Sequence, residues 1–498
     1  MNNIIYPTVD LFLYDLRDGL GDNPDKVQEN WDNFQHKLPE TLHDRIRFDS
    51  GFESEYEELL PKKNEFYQFS NQGYEGFYYP VRMSDMYGLL LDCSVSDELT
   101  PQPAKCIKQI KAEIKRHLGK NSATLGQSWL IYGQLTHPGQ NPEDVAQICY
   151  KALFPWANWQ ENFRGQGHQL GGTVFELDCF KLLLQETDNQ SEDSVASKSR
   201  VFDSHHVIIV LYPTANAAKA GAELYSDWMR LFAYRAKILW AYGQTRELKQ
   251  RLKQRYITIQ DCLQQIYGNQ YQNLPLNQLK DILNQARHIV SDYTIDVDDF
   301  GYQLRTIAIN LDNYKKRIEI IAKRLTSEEF SAFATQPTDI AFLANFSHLV
   351  TEKYLRQVEK DYENLSPGLQ RLEFAIATIR SLVEVDRARQ ERRFQNNITI
   401  FGWGLAAAAI AASLSAQFPY VIVPVEVRTT EQTPDANAEE TPDANAEETP
   451  DANAIASVEL NPSLSASWDA AVISLGYSLA AGLLFMAIAW LWIKRKEK

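Results

Sequence analysis

Two uncharged apolar segments toward the end of the chain, Ile398 to Ala416 and Ala470 to Ile493, constrain it more than any other feature. At ~1.5 Å per residue, a helix over the first covers roughly 28 Å, close to the thickness of a hydrocarbon core. The second is longer and can span with tilt. Trp403, Trp468, Trp490 and Trp492 sit near the segment ends, where indole rings suit the headgroup level. A pair of buried core helices is the other reading, and the length of the uncharged runs argues against it. The sequence therefore predicts transmembrane helices over 398–418 and 468–493. Small residues at four-residue spacing (Gly404, Ala408, Ala412 and Ala416, then Gly476 and Ala480) predict close helix association.

Flanking charge sets the expected orientation. Arg387, Arg389, Arg392 and Arg393 precede the first segment, and the basic tail 494–498 follows the second. By the excess of Lys and Arg, both termini belong in the cytoplasm and the chain reads as a multi-pass protein of the inner or plasma membrane. Between the segments, 419–467 contains TPDANAEE twice and TPDANA once. It is too poor in large apolar groups to fold and is expected to be a disordered acidic loop outside. Its ten acids against the single Arg428 account for most of the net charge of −15. Such a loop either gathers cations at a pore mouth or serves as a solvated spacer. No ionisable residue interrupts either apolar segment, which disfavours a proton-coupled pump.

The part before the membrane is large enough for an α/β domain and extended helices. Its N-terminus has no basic stretch followed by an apolar core, so no cleavable signal is expected. Five cysteines without a CxxC pair are read as reduced and mostly buried. No basic stripe with interleaved aromatics appears, so a nucleic-acid polymer is not an expected partner. Residues 1–213 read as a mixed α/β domain, with strands near 9–13, 77–81, 87–95, 128–135, 173–184 and 206–211. Amphipathic helices are predicted over 104–118 and 142–153, the latter capped by Asn141 with Pro142 in its first turn. Residues 214–366 read as a long-helix bundle. Ser366-Pro367 then opens a stalk over 367–397, whose Leu372, Ile376, Ile379 and Val383 have coiled-coil spacing. The fold class expected is thus an α+β membrane protein: an N-terminal mixed α/β domain, a helical coiled-coil stalk and two C-terminal transmembrane helices.

Chemistry-bearing motifs are sparse. Asp296, Asp298 and Asp299 open like a calcium loop, but Phe300 and Ile307 stand where oxygen ligands are required. They remain the metal candidates, beside the plainer reading of a solvated acidic turn. The Gly-rich run 165–172 precedes a strand rather than following one, and Leu170 stands where a dinucleotide fingerprint needs Gly, so a loop is the better reading. Asp15, Asp18 and Asp22 are read as turn carboxylates, or as a polar rim at a sheet edge. His205 and His206 are adjacent on a strand and point to opposite faces, so they cannot share a metal. No GxSxG, HExxH or Walker A sequence occurs, and nothing in the sequence argues for an enzyme.

An α/β domain, long helices, a last helix continuous with the first of two C-terminal spans, and a basic tail: in this order of elements the chain resembles the CorA family of divalent-cation channels. Where that family carries Gly-Met-Asn, this chain has Ser415-Ala416-Gln417-Phe418. The resemblance implies a homo-oligomer, a pentamer in the family, in the lipid bilayer. It also implies a divalent cation as cofactor or cargo and a small cytosolic ligand that gates the spans or drives a membrane-perturbing effector. Asn397, Ser413 and Ser415 are the pore-lining candidates under this reading. The competing expectation is a membrane-anchored signalling or scaffold protein, with the hairpin only a tether.

Overall fold

The strand expected at 9–13 is the centre of the fold and is much longer: β1 runs Asn3–Leu16. A β-bulge between Ile5 and Thr8 accommodates Tyr6-Pro7 within the strand. The bulge shifts the alternation by one, so Ile4 before it and Val9, Leu11 and Leu13 after it face the same side. The computed structural model describes residues 2–46, 55–61, 66–181, 203–268, 276–331, 333 and 336–415. Within them β2 (Glu57–Glu58), β3 (Tyr67–Asn71), β4 (Tyr74–Met83), β5 (Met86–Val95) and β6 (Gln102–Pro103) join β1. So do β7 (Gly126–Leu135), β8 (Phe163–Gln169), β9 (Gly172–Lys181) and β10 (Asp203–Tyr212). The order is β2-β4-β5-β1-β7-β10-β9-β8, with β3 also on β4 and β6 also on β1. Among the described residues β7 and β10 are the one parallel pair. The continuous apolar run of β10 follows from burial on both faces, Ile208 and Val210 on one and Val207 and Ile209 on the other.

One face is covered by helices α1 (Pro24–Gln35), α2 (Glu40–His43), α3 (Ile107–Leu118), α4 (Pro142–Leu153) and α5 (Trp159–Asn162). Ile107, Ile110, Ile114 and Leu118 recur at helical spacing and are buried against it. Helix α4 opens as expected, with Asn141 accepting from the Glu143 N–H and Pro142 in the first turn. The other face receives α6 (Ala215–Ala222) and the first half of α7 (Tyr225–Gly268). Helix α8 (Leu276–Leu325) returns along α7, and α9 (Glu328–Ser331), α10 (Ala344–Leu349) and α11 (Arg356–Ser415) follow. Leu231, Phe232 and Ile238 of α7 share a core with Ile307 and Leu311 of α8 and Leu372 of α11. The long helices and the sheet thus belong together, and the contacts divide the chain into Met1–Ile379 and Arg380–Lys498.

Among the described residues no helix is long and apolar enough to cross a membrane. This corrects the expected α+β membrane protein with two transmembrane helices, and with it the multi-pass placement in the inner or plasma membrane. The uncharged stretch read as the first span begins only at the end of α11, a 60-residue helix whose earlier turns expose Glu359, Lys360, Glu363, Arg380 and Glu384. The second span 468–493, the repeat loop 419–467 and the tail 494–498 lie outside the described residues, as do the side chains of Asn397, Ser413 and Ser415.

The coiled-coil stalk is corrected too. Leu372 and Ala375 are buried in the chain's own core, so that part of the seam is already covered without a partner. Nor does Ser366-Pro367 open a helix, since α11 starts at Arg356 and passes through Pro367. A proline inside a helix removes a hydrogen bond and frees carbonyls. Here the Tyr293 hydroxyl donates to the Leu365 carbonyl at 2.8 Å, and the absence of a side chain at Gly368 makes room for that ring.

The Gly-rich run is not a loop but the edge strand β8, joined to β9 by a tight turn with positive φ at Leu170 and Gly171. His168 exchanges two backbone hydrogen bonds with Asp339, of 2.7 and 2.8 Å. A Cβ added at Gly167 would stand 2.0 Å from the Asp339 carbonyl oxygen. Gly167→Ala should therefore lower stability by about 1–3 kcal/mol, measured as a reduced urea midpoint at unchanged m-value; an unaltered midpoint would contradict this docking.

Candidate functional site

Strand periodicity sends Thr8, Asp10, Phe12 and Tyr14 of β1 to the face that α6 and α7 cover. Leu90, Asp92 and Ser94 of β5, and Leu130 and Tyr132 of β7, join them there. Half of this face is ordinary core beneath α7. The other half is polar, and α6 rather than α7 lies over it. A cavity of about 670 Å³ opens there, its floor set by Thr8, Asp92, Ser94 and Tyr132 and its walls by Tyr6, Glu75, Phe69 and Phe77. Asn216 and Lys219 of α6 form the roof.

Asp10 and Asp92 face each other directly in the β1–β5 register and are 3% and 6% exposed. Two buried carboxyls this close cannot both be ionised, and a hydrogen bond between them requires one to carry a proton. Burial, and after it the neighbouring acids, hold the pair above the ordinary carboxylate range. The Tyr132 ring lines the same cavity as Asp92 and Thr8. The Asp10 Oδ1 atom has no hydrogen-bond partner. A second chain of polar groups runs beside the pair: Ser94 Oγ donates to the Tyr6 hydroxyl at 3.2 Å, which donates to Glu75 Oε1 at 2.8 Å. Tyr6 holds this position with φ of 48°, a left-handed conformation that costs a non-glycine residue energy.

The same sheet face carries a second polar cluster under α7. His206 lies between Ser128 Oγ and Glu176 Oε1, each 3.1 Å from a ring nitrogen. This is the order of a nucleophile, base and acid. All three are nevertheless at most 2% exposed, and the Phe232 ring packs edge-on against the imidazole. Burial keeps His206 neutral, lowering its pKa, and pushes Glu176 up to about 7. Beside them Arg235 of α7 is bonded to Asp178 of β9 and stacked on Phe346, 3.9 Å from its centroid. The cluster is closed to substrate and ties the sheet to α7 and α10.

Asp296 accepts from both Arg251 and Arg255 of α7, which spends the strongest of the metal candidates on an interhelical ion pair. Asp298 and Asp299 stay on the same helix, and among the described residues no group of three His, Cys, Asp or Glu side chains is placed to hold a metal. Asp15 is buried against Lys37 at 3.2 Å and accepts from the Thr124 N–H, while Asp22 accepts from the Gly19 N–H of its own turn. His205 turns away from His206 to stack near Phe154 and Trp156.

None of these candidates meets the cavity. Its residues are not marked by any motif, although one signal is present: Asp10 and Asp92 each interrupt a run of large apolar residues, Val9 to Leu13 and Leu89 to Cys93. No protein-family model, curated protein or solved structure matches the chain.

Folding raises the proton affinity of the Asp10–Asp92 pair. Its stabilising contribution is therefore complete in acid and is lost as pH rises through the raised value. Asp92→Asn replaces the shared proton by an amide hydrogen that does not titrate. It should flatten the loss of stability from about pH 4 to about pH 7 by on the order of 1 kcal/mol, followed by urea denaturation at each pH; an identical pH slope in the variant would contradict proton sharing.

Proposed function

We propose that the protein is a ligand-responsive sensor whose acidic cavity binds a small organic amine. The observation that carries this is the replacement of core by a polar floor on the two central strands, with the buried acids Asp10 and Asp92 facing each other beside a cavity of about 670 Å³. Its volume is that of a small-molecule site, which typically spans about 300–1,000 Å³. An ammonium group entering beside Asp92 and Glu75 takes over the role of the shared proton, so the pair ionises and the cation is paired in the same step. The rings of Tyr6, Phe69, Phe77 and Tyr132 line the same space and favour an organic cation through their faces. Lys219 on the roof supplies one positive charge for an acceptor group elsewhere on the ligand.

The roof is also the route out. Only Glu223 and Leu224 separate α6 from α7, and Leu224 is held by its N–H to the Gly221 carbonyl at 3.2 Å. Gly221 in turn lies against the Tyr212 hydroxyl at the end of β10, so α6 has little room to move independently. A ligand that shifts α6 therefore acts on the start of α7, which packs along α8. The sensing role expected from the sequence is here proposed for this cavity. No catalytic step is included, because the Ser128–His206–Glu176 alignment is sealed in the core.

Calorimetry with putrescine, agmatine and spermidine tests the proposal. At least one amine should bind, release close to one proton per ligand near neutral pH, and bind more tightly as pH rises. At about 100 times Kd the bound form should gain about 2.7 kcal/mol of stability. Asp92→Asn and Glu75→Gln should each weaken binding at least tenfold. Failure of all three amines to bind, or binding that both variants retain, would refute the amine site.

A further inference from the structure

A second cavity, of about 490 Å³, lies on the same unit between the β4–β5 turn and the paired helices α7 and α8. Its chemistry is opposite to that of the first. Arg230 of α7 and Arg305 and Arg317 of α8 line it, with the rings of Tyr234 and Tyr302 and the amide of Asn313. On α8 the positions 302, 305, 309, 313 and 317 recur every three or four residues, so they form one stripe along the helix. Arg305 and Arg317 are twelve residues apart, roughly 18 Å along the axis, and the space between them is elongated.

The charges do not cancel within the cavity. Asp85, on its wall, is taken by Lys237 at 2.8 Å, which leaves Glu55 at the rim as the other acid. Arg317 spends Nη1 on Asp227 at 3.2 Å, but its Nε is buried without a hydrogen-bond partner. Arg230 stands over Tyr56, 4.0 Å from the ring centroid, and has no ion-pair partner among the described residues. Arg305 is exposed and has no ion-pair partner among the described residues. A protein of net charge −15 that gathers three guanidinium groups in one cleft has made a local exception to its own acidity. Guanidinium forks match phosphoryl oxygens in geometry as well as charge, and tyrosine faces beside them suit a planar ring.

We propose that this cleft binds an elongated phosphorylated ligand of the nucleotide type, its phosphates on the arginines and its ring against Tyr234 or Tyr302. Such a ligand bridges the β4–β5 turn and both long helices, and it uses none of the groups assigned to the amine cavity. Titration of ADP into the full chain, followed by calorimetry and thermal unfolding, tests the site. ADP should bind and raise Tm, and uncharged adenosine should bind at least tenfold more weakly. Arg230→Gln should weaken ADP binding at least fivefold. Arg305→Gln should do the same, and because Arg305 is exposed this variant keeps the fold intact. Asp92→Asn should leave ADP binding unchanged. No response to ADP, equal binding of adenosine, or full ADP affinity in both arginine variants would overturn the assignment.

Discussion

Two carboxylates on adjacent central strands cannot both stay charged inside a protein, and the arrangement around Asp10 and Asp92 follows from that constraint. An ion buried without a partner costs several kcal/mol even after relaxation. The sheet meets the cost in part through the raised proton affinity that burial gives both acids. It also leaves this part of the face uncovered by α7. The short helix α6 spans the gap instead, and a cavity remains beneath it. The bulge at Tyr6-Pro7 belongs to the same solution, since it brings a tyrosine hydroxyl to Glu75 and Ser94 at the cavity wall.

A few residues away the same face solves the opposite problem. Under α7, Glu176, Asp178, His206 and Arg235 are all buried, and they are arranged so that charges pair: Arg235 with Asp178, and a neutral His206 between Ser128 and Glu176. Removing one member of such a group leaves another uncompensated, a loss of about 3–5 kcal/mol. The consequence is a fixed register between the sheet and α7. Asp227 continues it outward, accepting from Arg317 and Arg324 of α8 at 3.2 and 2.7 Å. Sheet, α7 and α8 are therefore joined by specific polar contacts as well as by their common core, and a displacement at α6 has a defined path through them.

Much of this fold could be read from the sequence because its periodicities are strong. Ile107, Ile110, Ile114 and Leu118 marked α3, Asn141-Pro142 marked the start of α4, and the β-branched run at 206–211 marked a strand buried on both sides. Breaker residues misled. Ser366-Pro367 has the pattern of a helix start, yet α11 passes through it and the Tyr293 hydroxyl donates to the Leu365 carbonyl. The glycines of 165–172 looked like a loop because nothing local reveals that Asp339 and Phe342, far along the chain, need the space that side chains there would fill. The uncharged stretch from Ile398 dominated the first reading, while the described helices contain none long and apolar enough to cross a membrane. The cavity was illegible for a related reason. Strand pattern indicates that Asp10 is buried, but only pairing of β1 with β5 places Asp92 opposite it.

The protonation of that pair is directly observable. Infrared spectroscopy of the full chain near neutral pH should show the carbonyl stretch of protonated carboxylic acid, weaker in Asp92→Asn and weaker again in the native chain when a bound amine replaces the proton, with buried Glu176 supplying the part that remains. A spectrum with only ionised carboxylates at neutral pH, or an acid band that neither the substitution nor amine binding diminishes, would contradict the account.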